Sequence, residues 1–283
     1  MRESVGVVGG GIMGSGIAEV AARNGLATVV YEPDDAGLAR SRKRISGSLD
    51  RAASSGKLSA DDATAALDQI VFTTDLAALA DRDVVVEAIV EDEAAKVSLF
   101  AQLGQLVRPD CLLATNTSSI PVMKLAAATT GPDRVIGIHF FNPVPVLPLV
   151  EIIPSLLTSP ATIERAEQFA AKQLGKTTIL AKDRAGFVVN ALLIPYLLAA
   201  IRMVEIGFAS ADDIDTGMVK GCAHPLGPLR LADLIGLDTT AAVAHSMYAE
   251  FKEPLFAPPP LLLRMVEAGL LGRKSGRGFF EYS

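Results

Sequence analysis

A glycine-rich turn at residues 9–14 constrains the fold of this 283-residue chain more than any other feature. An apolar segment with strand character, Val5–Val8, precedes the turn, and a helical pattern follows it. The turn fits the pattern G-x-G-x-x-G with Gly9, Gly10, Gly11, Ile12, Met13 and Gly14. In such a turn the first glycine permits the tight bend, the second lets a pyrophosphate approach the backbone, and the third lets helix and strand pack closely. A purely structural turn is the alternative, but the flanking strand and helix favour a dinucleotide-binding turn.

The end of the second predicted strand supports this interpretation. Glu32 lies there, 18 residues after Gly14. A carboxylate at this position can accept a hydrogen bond from the ribose 2′-hydroxyl and repels a 2′-phosphate, which favours NAD over NADP as the cofactor. Arg40, Arg42 and Lys43 follow on the next helix and leave some use of NADP open.

Composition and charge narrow the class of protein. Hydrophobic residues make up 50% of the chain and charged residues 20%, as in an ordinary globular protein. The formal net charge of -6, with both signs mixed throughout, argues against a nucleic-acid or anionic membrane surface, so a small molecule is the expected partner. The two cysteines, Cys111 and Cys222, lie far apart in the sequence and indicate neither a disulfide scaffold nor a metal cluster. A reducing cytoplasm fits this cysteine usage.

The N-terminal segment lacks the apolar core and cleavage site of a signal peptide, so we expect the chain to begin as a mature enzyme does. The most apolar run is Phe187–Ile201, which contains Asn190 and Pro195. It is shorter than the ~20 apolar residues that a membrane span requires. We therefore predict a buried helix there and no association with membranes.

Hydrophobic periodicity divides the chain into two parts. Up to about residue 182, short β-branched runs alternate with amphipathic helical stretches, a pattern typical of a doubly wound, Rossmann-type parallel sheet with helices on both faces. The clearest strands are Val5–Val8, Thr28–Tyr31, Val84–Glu87, Leu112–Ala114 and Val135–His139, and the clearest helices are Met13–Asn24, Ala36–Ala53, Glu91–Leu106 and Ile163–Leu174. Beyond this point the strand pattern stops. We predict an NAD-binding α/β domain at residues 1–183 and an all-α C-terminal domain at 184–283, which binds substrate and forms a dimer.

Several motifs in a fixed order resemble those of a known family. They are Asn116-Thr117-Ser118-Ser119, His139-Phe140-Phe141-Asn142-Pro143-Val144-Pro145, Leu149-Val150-Glu151, Gly186-Phe187-Val188-Val189-Asn190, Pro225-Leu226-Gly227-Pro228 and Lys274-Ser275-Gly276-Arg277-Gly278-Phe279. Together with the glycine turn they resemble the short-chain 3-hydroxyacyl-CoA dehydrogenases over nearly the whole chain, and among these the bacterial 3-hydroxybutyryl-CoA dehydrogenases most. The resemblance implies reversible oxidation of a short-chain 3-hydroxyacyl-CoA to the 3-oxoacyl-CoA, with reduction of NAD.

His139 is the candidate general base. Oxidation of a secondary alcohol requires a base that takes the hydroxyl proton while hydride leaves the same carbon, and neutral imidazole can do this near pH 7. His139 ends a predicted strand at the sheet edge where open α/β folds bind ligands. A structural histidine is the alternative, which the resemblance disfavours. The resemblance also implies that Glu151 accepts a hydrogen bond from the other imidazole nitrogen and fixes its tautomer. The apolar run around Glu151 is consistent with a paired carboxylate.

The resemblance gives Ser118 and Asn190 roles at the substrate. Both are expected to hydrogen-bond it near the C3 oxygen and thioester carbonyl, with Ser118 also close to the nicotinamide. Alternatively, Ser118 caps a helix that begins near Pro121, and Asn190 is a polar residue at a helix end. Ala191 departs from a common family pattern in which arginine follows the asparagine, so the contact of that arginine is not expected here.

Further positions match the family's cofactor site. Glu91, Lys96 and Asn142 match residues that line the ribose and nicotinamide, and Lys274 matches one that reaches the cofactor from the C-terminal domain. Glu91 and Lys96 alternatively form a solvated pair on one helix, although their i, i+5 spacing is not ideal.

Ser48 and Lys57, in the helical segment after the second strand, lie where the family holds the CoA moiety. The resemblance also implies a homodimer through the C-terminal domain, with Leu192–Ile201 and Pro260–Met265 as candidate contact segments.

The other two histidines, His224 and His245, have no comparable setting and are predicted to be structural or surface groups. No cluster of residues has metal-ligand spacing, so we predict no metal.

Two rival functions share the same architecture. One is a dehydrogenase of a free small hydroxy acid, such as the 3-hydroxyisobutyrate type, which uses a lysine and a different glycine-rich motif. The other is a non-catalytic relative that binds NAD. His139, Glu151, Ser118 and Asn190 together argue against both.

Overall fold

The computed structural model describes residues 2–282, and the chain divides into two compact units, residues 1–183 and 184–283. No helix within residues 2–282 is both long and apolar enough to cross a membrane.

In the part of the first unit that the structure describes, eight short strands form one sheet. They are β1 (Val5–Val8), β2 (Thr28–Tyr31), β3 (Ile70–Thr73), β4 (Val84–Glu87), β5 (Leu112–Thr115), β6 (Val135–Phe140), β7 (Leu149–Pro154) and β8 (Thr177–Leu180). Their order across the sheet is β3-β2-β1-β4-β5-β6-β7-β8. The predicted Rossmann-type α/β fold is therefore confirmed.

The sheet differs from the prediction in one respect, since it is not wholly parallel. β6 and β7 are antiparallel, whereas β7 and β8 are again parallel to each other. The reason lies in the connection, residues 141–148, which is shorter than the crossover that a parallel pair requires. The reversal brings β7 directly beside β6.

Helices accompany these strands: α1 (Ile12–Arg23), α2 (Asp35–Ser54), α3 (Ala60–Asp68), α4 (Glu93–Leu106), α5 (Val122–Ala127) and α6 (Pro160–Gln168). The segment Phe169–Gln173 continues α6 as a π-helical turn, and Leu76–Leu79 and Pro132–Arg134 are single 3₁₀ turns. The buried side chains of α1 are mostly small, which lets this helix lie close to the sheet. β1 and β4 are buried along their whole length, as expected for central parallel strands.

The second unit is helical, and the predicted all-α C-terminal domain is confirmed. Its helices are α7 (Val189–Glu205), α8 (Ala211–Gly221), α9 (Pro228–Ile235), α10 (Leu237–Phe251) and α11 (Pro260–Glu267), with 3₁₀ turns at Pro254–Phe256 and Arg273–Ser275. The predicted buried helix corresponds to α7, but only one of its faces is buried. Leu197 and Ile201 lie in the core of this unit, whereas Leu192 is exposed.

Two buried aspartates fix the helices of the second unit. The Asp215 carboxylate accepts hydrogen bonds from the backbone N–H groups of Leu229 and Arg230, at 2.8 and 3.0 Å, and so caps α9. The Asp233 carboxylate accepts hydrogen bonds from two backbone N–H groups of the C-terminal tail and, at 2.9 Å, from the Tyr282 hydroxyl. Burial, together with this carboxylate, raises the pKa of Tyr282 to about 12.

Candidate active site

The glycine turn has the geometry that a pyrophosphate requires. Gly9 has a φ of +93°, a value that favours glycine. A Cβ on Gly14 would lie 1.8 Å from the carbonyl oxygen of Gly9, so this position must be glycine for the turn to close. Among the described residues 2–282, a Cβ on Gly11 would meet no atom within 4 Å, and no side chain caps the N-terminus of α1 there. Ile12 is exposed, whereas Met13 packs against the core. The open space before the helix N-terminus fits the pyrophosphate of NAD.

Four side chains hold the centre of this turn at Gly10. Its N–H donates to Glu32 Oε1 at 2.7 Å. Its carbonyl oxygen accepts hydrogen bonds from Ser15 Oγ at 2.7 Å, Ser41 Oγ at 2.9 Å and Arg44 Nη1 at 3.2 Å. The turn is thereby tied to α2 and to the end of β2, where the Glu32 carboxylate lies beside it.

His139 and Glu151 form a buried pair across β6 and β7. They occupy opposite positions in the antiparallel register, which places both side chains on one face of the sheet. His139 Nδ1 lies 2.7 Å from Glu151 Oε2, and Glu151 is fully buried. The Phe141 ring packs edge-on against the imidazole with centroids 4.7 Å apart. With Glu151 ionised, Nδ1 donates the hydrogen bond and Nε2 is left to accept a proton.

Ser118 meets the other side of the imidazole. Its Oγ lies 2.9 Å from His139 Nε2. The alternative in which Ser118 caps a helix is wrong, because α5 begins at Val122 and Asp183 accepts its first N–H groups, those of Val122 and Met123, each at 2.8 Å. Ser118, His139 and Glu151 therefore form one hydrogen-bonded series.

Glu91 lies on the turn before α4 and not on the helix, which differs from the prediction. α4 begins at Glu93, and Asp92 caps it by accepting a hydrogen bond from the N–H of Ala95 at 2.8 Å. The turn lets Glu91 Oε2 lie 3.3 Å from Lys96 Nζ despite their unfavourable spacing on a helix. Lys96 is only 1% exposed, so the alternative of a solvated surface pair is wrong.

The Glu91 carboxylate binds the turn that contains Ser118. Its Oε1 accepts hydrogen bonds from Thr117 Oγ1 at 2.6 Å, from the Ser118 N–H at 2.9 Å, and from the Ser119 N–H and Oγ at 3.1 and 3.0 Å. Burial alone would raise the pKa of Glu91, but the Lys96 charge and these hydrogen bonds outweigh it and lower the pKa. Glu91 is therefore held as a carboxylate.

Glu87, at the end of β4, is a site residue that the sequence analysis missed. It is fully buried, and its Oε1 accepts hydrogen bonds from Lys96 Nζ at 2.5 Å and from the Ile89 N–H at 2.7 Å. Its Oε2 accepts a hydrogen bond from Thr115 Oγ1, at the end of the neighbouring strand, at 2.7 Å. A charged residue that ends a continuous apolar strand was the available signal.

Asn142 lies in the exposed turn between β6 and β7 and precedes Pro143 through a cis peptide bond. Lys176, another residue that the sequence analysis missed, anchors this turn. Its Nζ donates to the carbonyl oxygens of Val144 at 2.6 Å and Leu147 at 2.8 Å. Burial, with a contribution from the nearby Arg23 charge, lowers the pKa of Lys176.

A cavity of about 480 Å³ lies between α1 and α2 and is bounded by the 142–145 turn. Ser48 lines it, whereas Lys57 lies on the exposed turn after α2 and outside the lining. The remaining polar lining is cationic apart from Ser15, Glu19 and Asn142, and the cations are Arg40, Lys43, Arg44 and Arg51. Burial raises the pKa of Glu19, against the opposing effects of Ser48, Arg23 and Arg51. The lining suits an anionic ligand.

The remaining predicted site residues belong to the second unit. Asn190 is half-buried in the first turn of α7. Lys274 Nζ contacts both Asp238 carboxylate oxygens at 2.6 Å. Burial opposes ionisation of Asp238, but the hydrogen bond from Lys274 outweighs it and lowers the pKa of Asp238. His224 Nδ1 lies 3.1 Å from the Tyr196 hydroxyl, and His245 is exposed on α10.

The fold and the site define the class of protein: a Rossmann-type nucleotide-binding unit with a buried histidine–glutamate pair, followed by a helical unit. Comparison with known families agrees. The NAD-binding domain of 3-hydroxyacyl-CoA dehydrogenase matches residues 4–184, and the C-terminal domain of 3-hydroxyacyl-CoA dehydrogenase matches residues 186–282. The chain therefore belongs to the 3-hydroxyacyl-CoA dehydrogenase family.

Individual relatives are similar over most or all of their length. A 3-hydroxybutyryl-CoA dehydrogenase of Mycobacterium tuberculosis is 59% identical over 281 residues, which cover 99% of this chain and 98% of the relative. The human mitochondrial hydroxyacyl-coenzyme A dehydrogenase is 44% identical over 287 residues, covering 98% of this chain and 90% of the relative. The crystal structure of M. tuberculosis FadB2 matches with a TM-score of 0.99 and 58% identity, covering 100% of this chain and 99% of the other. That of (S)-3-hydroxybutyryl-CoA dehydrogenase PaaH1 from Ralstonia eutropha matches with a TM-score of 0.94 and 45% identity, with 100% of both chains covered.

Proposed function

We propose that this chain is an NAD-dependent dehydrogenase that interconverts 3-hydroxybutyryl-CoA and acetoacetyl-CoA. The observation that supports this most directly is the buried pair of His139 and Glu151 with Ser118 against the second imidazole nitrogen, in a member of this family. The names of the similar proteins support the choice of a short acyl chain.

In the proposed mechanism His139 moves the proton. Its Nε2 accepts the proton of the substrate hydroxyl, and Glu151 stabilises the imidazolium through Nδ1. NAD, when bound by the glycine turn and Glu32, supplies the nicotinamide carbon that takes up the hydride. Ser118 Oγ, adjacent to Nε2, donates a hydrogen bond to the substrate oxygen and orients it. In the reverse direction His139 returns the proton to that oxygen.

The substrate's CoA group is proposed to use the cavity between α1 and α2. Ser48 and the four cationic side chains of its lining would bind the phosphates, and Asn190 would bind the acyl end. Contacts to the remote CoA group would supply binding energy that positions the reacting carbon. Glu91, Lys96, Asn142 and Lys274 are proposed to contact the cofactor.

We also propose that the chain acts as a homodimer in a reducing cytoplasm. Exposed apolar side chains on the second unit, Leu192, Ile206 and Phe208, are typical of an interface between subunits. Sedimentation of the wild type and of a Phe208→Ser variant tests the dimer. The variant is expected to dissociate into monomers at a higher protein concentration than the wild type.

The function is tested by following NADH absorbance with acetoacetyl-CoA as the oxidant. Turnover with NADH and the CoA ester, with little turnover of free acetoacetate and little with NADPH, is the expected result. Turnover of free acetoacetate at a comparable rate would instead assign the chain to the hydroxy-acid dehydrogenases. NADH binding without any turnover would point to a non-catalytic relative.

A further inference from the structure

A continuous series of contacts leads from Glu87, at the end of β4, to His139. Glu87 contacts Lys96, Lys96 contacts Glu91, and Glu91 accepts the N–H of Ser118, whose hydroxyl meets His139. The first two residues of this series, Glu87 and Lys96, are both buried.

The innermost contact fixes the lysine. An ammonium with 1% exposure has lost its hydration and must be compensated by carboxylates. Glu87 supplies the close contact at 2.5 Å, and Glu87 is itself held by Thr115 and by the N–H of Ile89. Each Glu87 oxygen therefore accepts at least one hydrogen bond from a donor on a strand end or on the adjoining turn. Because the Glu87 carboxylate is fixed in this way, the Lys96 ammonium that it contacts has little freedom to move.

The contact between Lys96 and Glu91 links the position of the lysine to the turn at residues 117–119. The Glu91 side chain is 40% exposed, so its hydrogen bonds and its ion pair, and not burial, hold it in place. Oε1 binds the turn, and Oε2 binds Lys96. If the ammonium moves, Glu91 loses the contact that aligns it, and the backbone of Ser118 loses a fixed acceptor.

We propose that Glu87 is a positioning residue for the reaction: through Lys96 and Glu91 it fixes the 117–119 turn and so sets the contact between the Ser118 hydroxyl and His139. The expected effect on the reaction rests on the proposed function. The dependence of the Ser118–His139 contact on Glu87 does not.

The experiment compares Glu87→Gln with Asp83→Asn. Both substitutions remove one carboxylate charge from the same part of the chain, because Asp83 directly precedes β4 at its opposite end and pairs with Arg108 at 2.7 Å. The primary readout is the ¹⁵N chemical shift of His139 Nε2 in the free protein, which responds to its hydrogen bond with Ser118. The signal is assigned by its loss in His139→Asn, and the chain has 3 histidines to distinguish.

Glu87→Gln is expected to move the His139 Nε2 signal and to lower kcat for acetoacetyl-CoA by about 10- to 100-fold, since small displacements of positioning groups have effects of that size. Asp83→Asn is expected to leave both unchanged. A Glu87→Gln protein that melts at a lower temperature but keeps the His139 signal and a kcat within about twofold of wild type would overturn the proposal.

If Glu87→Gln does not fold, the double variant Glu87→Gln/Lys96→Met replaces it, because removing both charges leaves no lone buried ammonium. The same displaced His139 signal is expected, and an unchanged signal would again contradict the proposal. If the wild type fails to reduce acetoacetyl-CoA, the proposed function fails, while the comparison of the ring signals still decides the role of Glu87.

Discussion

His139 and Glu151 face each other directly across β6 and β7, with Nδ1 and Oε2 2.7 Å apart. A shift of one residue in this register would send the two side chains to opposite faces of the sheet. The antiparallel return of β7 therefore places the Glu151 carboxylate against the His139 imidazole.

The glycine turn allows a test that separates folding from cofactor binding. Gly14→Ala is expected to destabilise the protein by about 1–3 kcal/mol, because the new Cβ overlaps the Gly9 carbonyl oxygen. Gly11→Ala is expected to fold normally but to bind NADH weakly, because its methyl group occupies the open space before α1. Thermal melting and NADH fluorescence titration measure the two effects.

Gly217→Ala, in the interior of α8 with open space around it, serves as the control for both glycine variants. It should keep full NADH affinity. Tight NADH binding by Gly11→Ala would exclude this turn as the pyrophosphate site.

Glu32 should determine the choice between NADH and NADPH. Glu32→Ser removes the proposed acceptor of the ribose hydroxyl and the charge that repels a 2′-phosphate. NADH affinity should fall about 10- to 100-fold, the size expected for a hydrogen bond to a charged group. NADPH affinity should rise, since the cationic side chain of Arg44 contacts Gly10, the residue that also contacts Glu32.

The measurement is fluorescence titration with each nucleotide, with Asp34→Asn as the control. Asp34 lies two residues away and caps α2 through the Gly37 N–H at 2.6 Å, so its loss of charge should leave the preference unchanged. Unaltered selectivity in Glu32→Ser would show that another group makes the distinction.

The two thiols should differ sharply in reactivity. Burial raises the pKa of the Cys111 thiol from 9.0 to about 12, whereas Cys222 is exposed. A thiol reagent at pH 8 should therefore modify one cysteine in the native protein and both after denaturation. Because the folded pKa is raised, the contribution of Cys111 to stability is complete below pH 9 and is lost as the pH rises towards 12. Equal labelling rates for both cysteines in the native protein would contradict this assignment.

The sequence predicted the features that depend on local patterns. The first strands, the glycine turn and Glu32 follow from alternation and spacing, and the resemblance pointed to His139 and Glu151. β3, β7 and β8 were not among the predicted strands. β7 ends at Pro154 and has Glu151 in its centre, and β8 is a short edge strand with two threonines. Neither has a clear alternating pattern.

The supporting residues could not be predicted because their roles arise from contacts between distant parts of the chain. Glu87 meets Thr115 only because β4 and β5 are neighbours in register. Lys176 reaches the carbonyl oxygens of Val144 and Leu147 across the sheet edge, and no spacing rule detects contacts between a lysine and backbone carbonyl oxygens. Tertiary pairing, and not local preference, determines such contacts.

The central claim is that the His139–Glu151 pair transfers the proton, and the most direct test is the rate of acetoacetyl-CoA reduction by His139→Asn and Glu151→Gln, with the exposed His245→Asn as control. Both site variants should bind NADH with near-normal affinity while kcat falls by about 10²- to 10⁴-fold, and the control should match the wild type. A folded His139→Asn or Glu151→Gln protein that retains a kcat close to that of the wild type would contradict the account.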